Sequence, residues 1–387
     1  MADIFIVAAE PSGDQLGAAL AGSLKKTRPD IRLSGIGGSR MAEAGLPSAM
    51  PTDGLAVLGF VEGLMAYPLV LSKVRQATDI ILSRRPDCVV LIDSWGFMVR
   101  IAKRLKSKGY PGEIVKYVAP QVWATRPGRA RILAQHVDHL LSTQPMDEPH
   151  FKAAGLPTTF VGNPVLDTDY RSGNAKAFAK THSLGRDKPV LGLLPGSRRA
   201  EIERVGPALV KALGILEARF PDLQTVCVAS DAVKDAVEKL FADRQVRMAE
   251  QSALIDALSV MDVALACSGT VTTQLAAAGV PSVVLYKLSP LTYAVASRIF
   301  RSDYVSLVNI SADTHGDVAA IPLMPEFLQD DIMTDGPVEI LANWLEHPDA
   351  AARLSDQLKR ETRRMGAGSG SASDKAAAAI LRLIGEA

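Results

Sequence analysis

Pro189-Val190-Leu191-Gly192-Leu193-Leu194-Pro195-Gly196-Ser197-Arg198-Arg199 joins an apolar run to a Pro-Gly turn and then to a charged, helix-like segment. A short continuous apolar run is what a strand buried on both faces requires. Ser197 is the candidate cap of the helix that follows, with Glu201 shortly after it as a capping partner. Open amides at a helix start, beside Ser197 and Arg198, form a site for an anion. The pattern recurs at Val263-Ala264-Leu265-Ala266-Cys267-Ser268-Gly269-Thr270, where an apolar run again meets a turn of small residues. A pair of such turns in one half of the chain points to a nucleotide or a nucleotide sugar.

Outward from these turns, the second half carries further strand-like runs at 225–229 and 282–286, with 305–309 read as extended. The first half shows the same alternation. Strands are expected at 4–9, 31–36, 86–92, 113–118, 139–142 and 159–161, and a helix over 14–26 puts Leu16, Ala19, Leu20 and Leu24 at helical spacing. This βα order predicts parallel sheets with helices on both faces. The expected fold is therefore α/β, with two Rossmann-like domains facing a cleft. Residues 1–166 form the first domain, 167–187 a polar linker and 188–365 the second domain. Residues 366–387 read as a Gly/Ser break and an amphipathic tail helix over 374–384, capped by Ser373 or Asp374, which packs back on the first domain.

Composition narrows the function classes. A chain of 387 residues suits two ordinary domains, and 48% apolar with 22% charged residues is globular. A net charge of +1 disfavours broad nucleic-acid binding. Cys88, Cys227 and Cys267 lie far apart in apolar runs, without metal or disulfide spacing, which fits a reducing compartment. The start, Met1-Ala2-Asp3-Ile4-Phe5, reads as a first strand rather than a signal peptide. The apolar run 55–71 contains Glu62, Gly59, Gly63 and Pro68, so it does not read as a membrane span. Core packing is its plain reading; a patch resting on a bilayer is the other.

Open α/β sheets bind ligands beyond the C-terminal ends of their strands. Glu10-Pro11-Ser12-Gly13-Asp14 follows the first strand and holds too few glycines for a dinucleotide fingerprint. Its acids suit sugar hydroxyls, proton transfer or helix capping. Asp93 ends the fully apolar strand 86–92, where partial desolvation favours a general base, with an N-cap as the alternative. Trp123, Arg126 and Arg129 follow another strand, where they could stack on a sugar and pair with a phosphate, or pack a loop. No Walker A, HExxH or GxSxG pattern occurs, and His136 with His139 lacks a third nearby metal ligand.

Taken in order, these residues resemble one family over nearly the whole chain. The marks are Glu10-Pro11-Ser12-Gly13-Asp14, Gly35-Ile36-Gly37-Gly38-Ser39-Arg40-Met41, Leu58-Gly59-Phe60-Val61-Glu62, Ile92-Asp93, Val122-Trp123 and Arg126-Pro127-Gly128-Arg129. They continue through His136-Val137-Asp138-His139, Leu194-Pro195-Gly196-Ser197-Arg198, Ser268-Gly269-Thr270, Asp303-Tyr304-Val305-Ser306-Leu307 and Pro325-Glu326-Phe327-Leu328-Gln329. The chain resembles the lipid-A-disaccharide synthases, inverting glycosyltransferases of the GT-B fold. The resemblance implies transfer of a sugar from UDP-2,3-diacylglucosamine to 2,3-diacylglucosamine 1-phosphate, without a metal or other cofactor. Asp93 then matches the candidate base, with Glu10 and Asp14 beside it as catalytic candidates. Gly196, Ser197, Arg198, Ser268, Gly269, Thr270 and Gln274 match the nucleotide site, and Ser12, Gly13, Trp123, Arg126 and Asn309 the substrate site. Acylated substrates imply peripheral contact with the cytoplasmic face of the inner membrane, through Leu58, Phe60, Val61, Leu64 and Met65. A homodimer is a further expectation, with the oligomeric state left open.

Several positions depart from the family pattern. Ala9 stands for the usual Gly, Gln121 and Thr125 for Ser and Trp, Asn163 for His, and Gln274 for a ribose-binding Glu. A Gln can still bond a ribose hydroxyl, but without charge assistance. The segment 309–321 also differs, with Ser311-Ala312-Asp313-Thr314-His315 in place of an apolar-Gly-Arg pattern. These departures keep alternatives open: a divergent GT-B paralogue using another UDP-sugar, or a non-catalytic nucleotide- or lipid-binding one.

Overall fold

The structure is a computed structural model that describes residues 2–55, 67–185, 187–316 and 322–386. It divides into two compact units, Met1–Pro164 with Gly370–Ala387, and Val165–Ser369. Each is built on a six-stranded sheet whose paired strands are all parallel.

In the first unit the strands are β1 (Asp3–Ala8), β2 (Arg32–Ile36), β3 (Cys88–Ile92), β4 (Glu113–Tyr117), β5 (His139–Ser142) and β6 (Thr158–Phe160), in the order β2-β1-β3-β4-β5-β6. Strand residues alternate between two apolar layers. Phe5, Val7, Val89 and Leu91 enter one, while Ile4, Ile6, Val90 and Ile92 enter the other. Burial on both faces is why these strands read as unbroken apolar runs. The helix Pro11–Thr27 packs on the second layer. So does the tail helix Ala372–Leu383, through Ala376, Ala377, Ile380 and Leu381. Its cap is Ser371, whose hydroxyl accepts from the amides of Ser373 at 3.2 Å and Asp374 at 3.4 Å, rather than Ser373 or Asp374 as expected.

In the second unit the strands are β7 (Val190–Leu194), β8 (Gln224–Ala229), β9 (Val246–Glu250), β10 (Val263–Cys267), β11 (Ser282–Tyr286) and β12 (Glu326–Leu328), ordered β12-β11-β10-β7-β8-β9. The edge strands β9 and β12 escaped the sequence reading. The expected linker contains a helix, Ala175–Thr181, whose Phe178 is buried in the second unit's core.

A further expectation is overturned. Residues 305–309 are not extended, because a helix spans Leu307–Thr314. Ser306 caps it locally, accepting from the Asn309 amide at 3.2 Å. The rest of the cap comes from Glu326, whose carboxylate accepts from the amides of Val305 at 2.6 Å and Ser306 at 2.9 Å. A cap supplied by a residue so distant in sequence is invisible to local propensity.

Candidate functional site

In the first unit, β1 and β3 are neighbours with Ala8 opposite Ile92, so Glu10 and Asp93 leave the sheet side by side. Glu10 is the N-cap residue of Pro11–Thr27 but makes no side-chain cap, and its half-buried carboxylate stands at the positive end of the helix. Asp93 has φ +52° and Ser94 φ +32°, both in the left-handed region. Each such residue costs about 1–3 kcal/mol and persists only where the surroundings hold it. The Asp93 amide donates to the Tyr117 carbonyl at 2.9 Å. Its carboxylate accepts from the Ser12 hydroxyl at 3.4 Å, and Gly13 is packed beneath against Ala8 and Ile92.

Asp14 has a different part. It is buried, and its carboxylate accepts from the amides of Gly38 at 2.7 Å, Arg40 at 2.9 Å and Met41 at 3.2 Å. It thereby caps the helix Ser39–Glu43, which packs beside its own on the same face of the sheet. A Cβ at Gly38 would lie 2.6 Å from Asp14 Oδ2, so the bare backbone there makes room for this cap. The expectation of a catalytic Asp14 thus meets a carboxylate engaged in holding a loop. That loop helps to line a cavity of about 580 Å³ beyond β1 and β2, walled by Glu10, Gln15, Ser39, Arg40, Thr52 and Asp53. Arg40 entered the sequence reading only as part of the Gly35–Met41 stretch, and Asp53 not at all.

The main residue that sequence reasoning missed is Lys116. It lies within the strand expected at 113–118, yet it is 2% exposed. Its ammonium donates to the carbonyls of Tyr117 at 3.0 Å and Val118 at 2.9 Å. Burial pushes it down to about 7, against the upward pull of Asp93 and Glu10.

Trp123 is half-buried, and its indole N–H donates to Asp147 at 3.0 Å. Burial pushes the Asp147 carboxyl up to about 7, opposed by that bond. Arg126 is exposed with φ +48°, and the Arg129 guanidinium lies 4.9 Å from the centre of the Trp95 ring. Arg126 is thus free to meet a ligand, whereas Trp123 is anchored.

In the second unit, β7 and β10 are neighbours with Leu194 opposite Ala266, so the turns after them emerge together. Gly196 has φ +109° and Gly269 has φ +158°. Ser197, Arg198, Gly269 and Thr270 are exposed, and no side chain caps the helix Thr270–Ala278. The other turn is not bare. The helix there is Arg199–Arg219 with Arg198, not Ser197, at its N-cap. Glu201 Oε2 accepts from the amides of Ser197 at 3.0 Å and Arg198 at 3.2 Å, and Glu201 Oε1 from the Arg198 guanidinium at 2.9 Å. An anion arriving here meets a carboxylate already in the cradle.

Gln274 donates to the Tyr170 hydroxyl at 3.1 Å. Asn309 is fully buried. Its amide group donates to Met324 O at 2.6 Å and Glu326 at 2.8 Å, and its oxygen accepts from Met324 N at 2.9 Å. It ties Leu307–Thr314 to β12, and its contact with a substrate is not prepared by that arrangement. A larger cavity, about 1250 Å³, opens beside Pro189, Asp262 and Pro281, at the N-terminal ends of β7, β10 and β11. That is the wrong end of a parallel sheet for ligand chemistry. Leu58, Phe60, Val61, Leu64 and Met65 lie outside the described residues. Among the described residues, no group of three or more His, Cys, Asp and Glu could hold a metal, and no helix is long and apolar enough to cross a membrane.

Residues 4–379 match the lipid-A-disaccharide synthetase family. The lipid-A-disaccharide synthase of Rhodospirillum centenum is 39% identical over 98% of this chain and 94% of that protein. That of Paramagnetospirillum magneticum is 37% identical over 98% and 97%. Among solved structures, the UDP-GlcNAc 2-epimerase of Neisseria meningitidis, bound to UDP-GlcNAc, superposes with a TM-score of 0.60 at 13% identity, covering 99% of this chain and all of that one. A glycosyltransferase from Rickettsia africae gives 0.61 at 11% identity, covering 100% and 98%. Epimerase and transferase share this fold, so the fold alone does not select between them.

Proposed function

The chain belongs to the lipid-A-disaccharide synthase family and is a glycosyltransferase, and from that premise we propose that it joins UDP-2,3-diacylglucosamine to 2,3-diacylglucosamine 1-phosphate. The family match over residues 4–379 carries this reading. Asp93 takes the proton of the acceptor's sugar hydroxyl, whose oxygen attacks the donor's anomeric carbon. The bond from that carbon to the diphosphate breaks, UDP leaves with the electron pair, and the linkage inverts. Arg198 and the amides after Gly196 and Gly269 receive the diphosphate charge, which removes the need for a metal. Glu201 must yield those amides as the diphosphate enters. Gln274 meets the nucleoside end, and Arg126 the acceptor. Supporting this division, Glu10 and Asp93 are acids suited to hydroxyls, while the second unit's turns offer amides and arginine.

Acylated substrates require contact with a lipid surface, and we place it at the cytoplasmic face of the inner membrane. Among the described residues, the helix Pro290–Ile299 supports this. It buries none of its residues, and Leu291 is 79% and Val295 55% exposed, with Tyr293 and Ile299 exposed as well. No acidic residue occurs from Leu288 to Ser302, while Arg298 and Arg301 are exposed. An isolated helix of this length is marginal in water. Its apolar surface and basic end fit an anionic bilayer. The protein should float with phosphatidylglycerol vesicles, and Leu291→Glu with Val295→Glu should remove most of the floated fraction. Unchanged flotation would reject this helix as the contact.

The reaction is tested by product analysis. Purified protein with both acylated substrates should release UDP and form the disaccharide 1-phosphate. Turnover of another UDP-sugar instead would replace the assignment.

A further inference from the structure

Lys116 has no part in the proton transfer described above, yet it is placed where an apolar residue is expected. In the sheet register it lies between Leu91 of β3 and Leu140 of β5. Its neighbour two residues back, Ile114, enters the apolar layer with Leu91 and Leu140. A buried ammonium is costly unless it is paired and hydrogen-bonded. The charged groups acting on it are Glu10, from beyond the end of β1, and Asp93, from the end of β3.

The hydrogen bonds around it converge on the strand-end turns. The Tyr117 carbonyl accepts both the Lys116 ammonium at 3.0 Å and the Asp93 amide at 2.9 Å. The Val118 carbonyl, the ammonium's second acceptor, belongs to a β-branched residue at φ +71°. Non-glycine residues in the left-handed region thus occur at the ends of both neighbouring strands, at Asp93, Ser94 and Val118. Such conformations persist only where the surroundings over-determine them. One cation touches two of the carbonyls at this point and shares one with Asp93.

We propose that Lys116 is a positioning residue for glycosyl transfer: its ammonium pins the left-handed strand ends that present Asp93. This rests on the reading of Asp93 as the acceptor base. Lys116 itself is shut off from solvent behind the carbonyls it bonds, so it acts through its neighbours.

Lys116→Met keeps the apolar stem and removes both donor and charge. Lys116→Gln keeps a donor without the charge, and serves if the Met variant does not fold. In Lys116→Met, kcat should fall by about ten-fold or more, with the donor KM little changed; Lys116→Gln should lose less.

An unchanged kcat in a folded Lys116→Met variant, or an equal loss in Lys116→Gln, would overturn the proposal. Asp93→Asn, run alongside, separates the two claims. Lost turnover in Asp93→Asn with no effect of Lys116 rejects the positioning role alone. Full turnover in Asp93→Asn rejects the base, and the role of Lys116 in transfer with it.

Discussion

The strand ends of β3 and β7 solve the same problem in opposite ways. Each must turn sharply out of a parallel sheet. After β7 the turn uses Gly196 at φ +109°, whose bare backbone brings the Ser197 and Arg198 amides together on the Glu201 carboxylate. After β3 the turn puts Asp93 at φ +52° and Ser94 at φ +32°, where an L-residue is strained. Glycine yields a cradle of backbone donors, suited to a diphosphate. The strained pair yields a carboxylate held in a fixed position, suited to a proton transfer. The first turn uses conformational freedom and the second forgoes it, and that difference matches a division between leaving group and nucleophile.

Breaking the donor side should have the larger effect. Arg198→Ala removes a guanidinium whose side chain is 79% exposed and paired at the surface with Glu201 at 2.9 Å. It should lower kcat/KM by about 100-fold, as loss of one charge-stabilising group does, while thermal stability stays near wild type. Steady-state kinetics with a melting curve checks both. Gly196→Ala places a Cβ 2.7 Å from Glu201 Oε2 and forces φ +109° on an alanine. It should destabilise by about 1–3 kcal/mol, seen as a lower denaturant midpoint. The acceptor side should respond with the opposite sign. Ser94→Gly relieves a left-handed strain and should stabilise by about 0.5 kcal/mol net of the added backbone entropy. If Gly196→Ala were neutral and Ser94→Gly destabilising, the contrast between the turns would collapse.

Lys116 adds a pH signature to the acceptor side. Its folded-state pKa, about 7, lies below that of an exposed lysine. The unfolded chain therefore binds more protons from about pH 7 up to the ordinary lysine range near 10.4. Wild type should gain stability over that interval relative to Lys116→Met, with the penalty largest below pH 7. Urea unfolding at pH 6.5 and pH 9 reads the difference.

Much of this fold is legible in the sequence because both faces of its sheets are buried. β7 and β11 were read at their observed bounds from runs that are apolar at nearly every position. β9, Val-Arg-Met-Ala-Glu, and β12, three residues long, are edge strands with polar or half-buried residues and gave no such signal. The helix Leu307–Thr314 was misread because part of its cap, Glu326, arrives from β12. The site shows the same split. Asp93 and the two small-residue turns stand at strand ends that a linear pattern reveals. The occupation of the Ser197 and Arg198 amides by Glu201 depends on side-chain geometry. So do the cap made by Asp14 on a neighbouring helix and the burial of Lys116. Those are pairwise facts, and no single position in the sequence carries them.

The central claim is that Asp93 deprotonates the acceptor while the second unit holds UDP. It is tested most directly by mass-spectrometric product analysis of Asp93→Asn against wild type, with both acylated substrates and with UDP affinity measured on the same samples. The account predicts disaccharide 1-phosphate from wild type, at least about 100-fold less from Asp93→Asn, and equal affinity for UDP. Disaccharide formed at the wild-type rate by Asp93→Asn would contradict it.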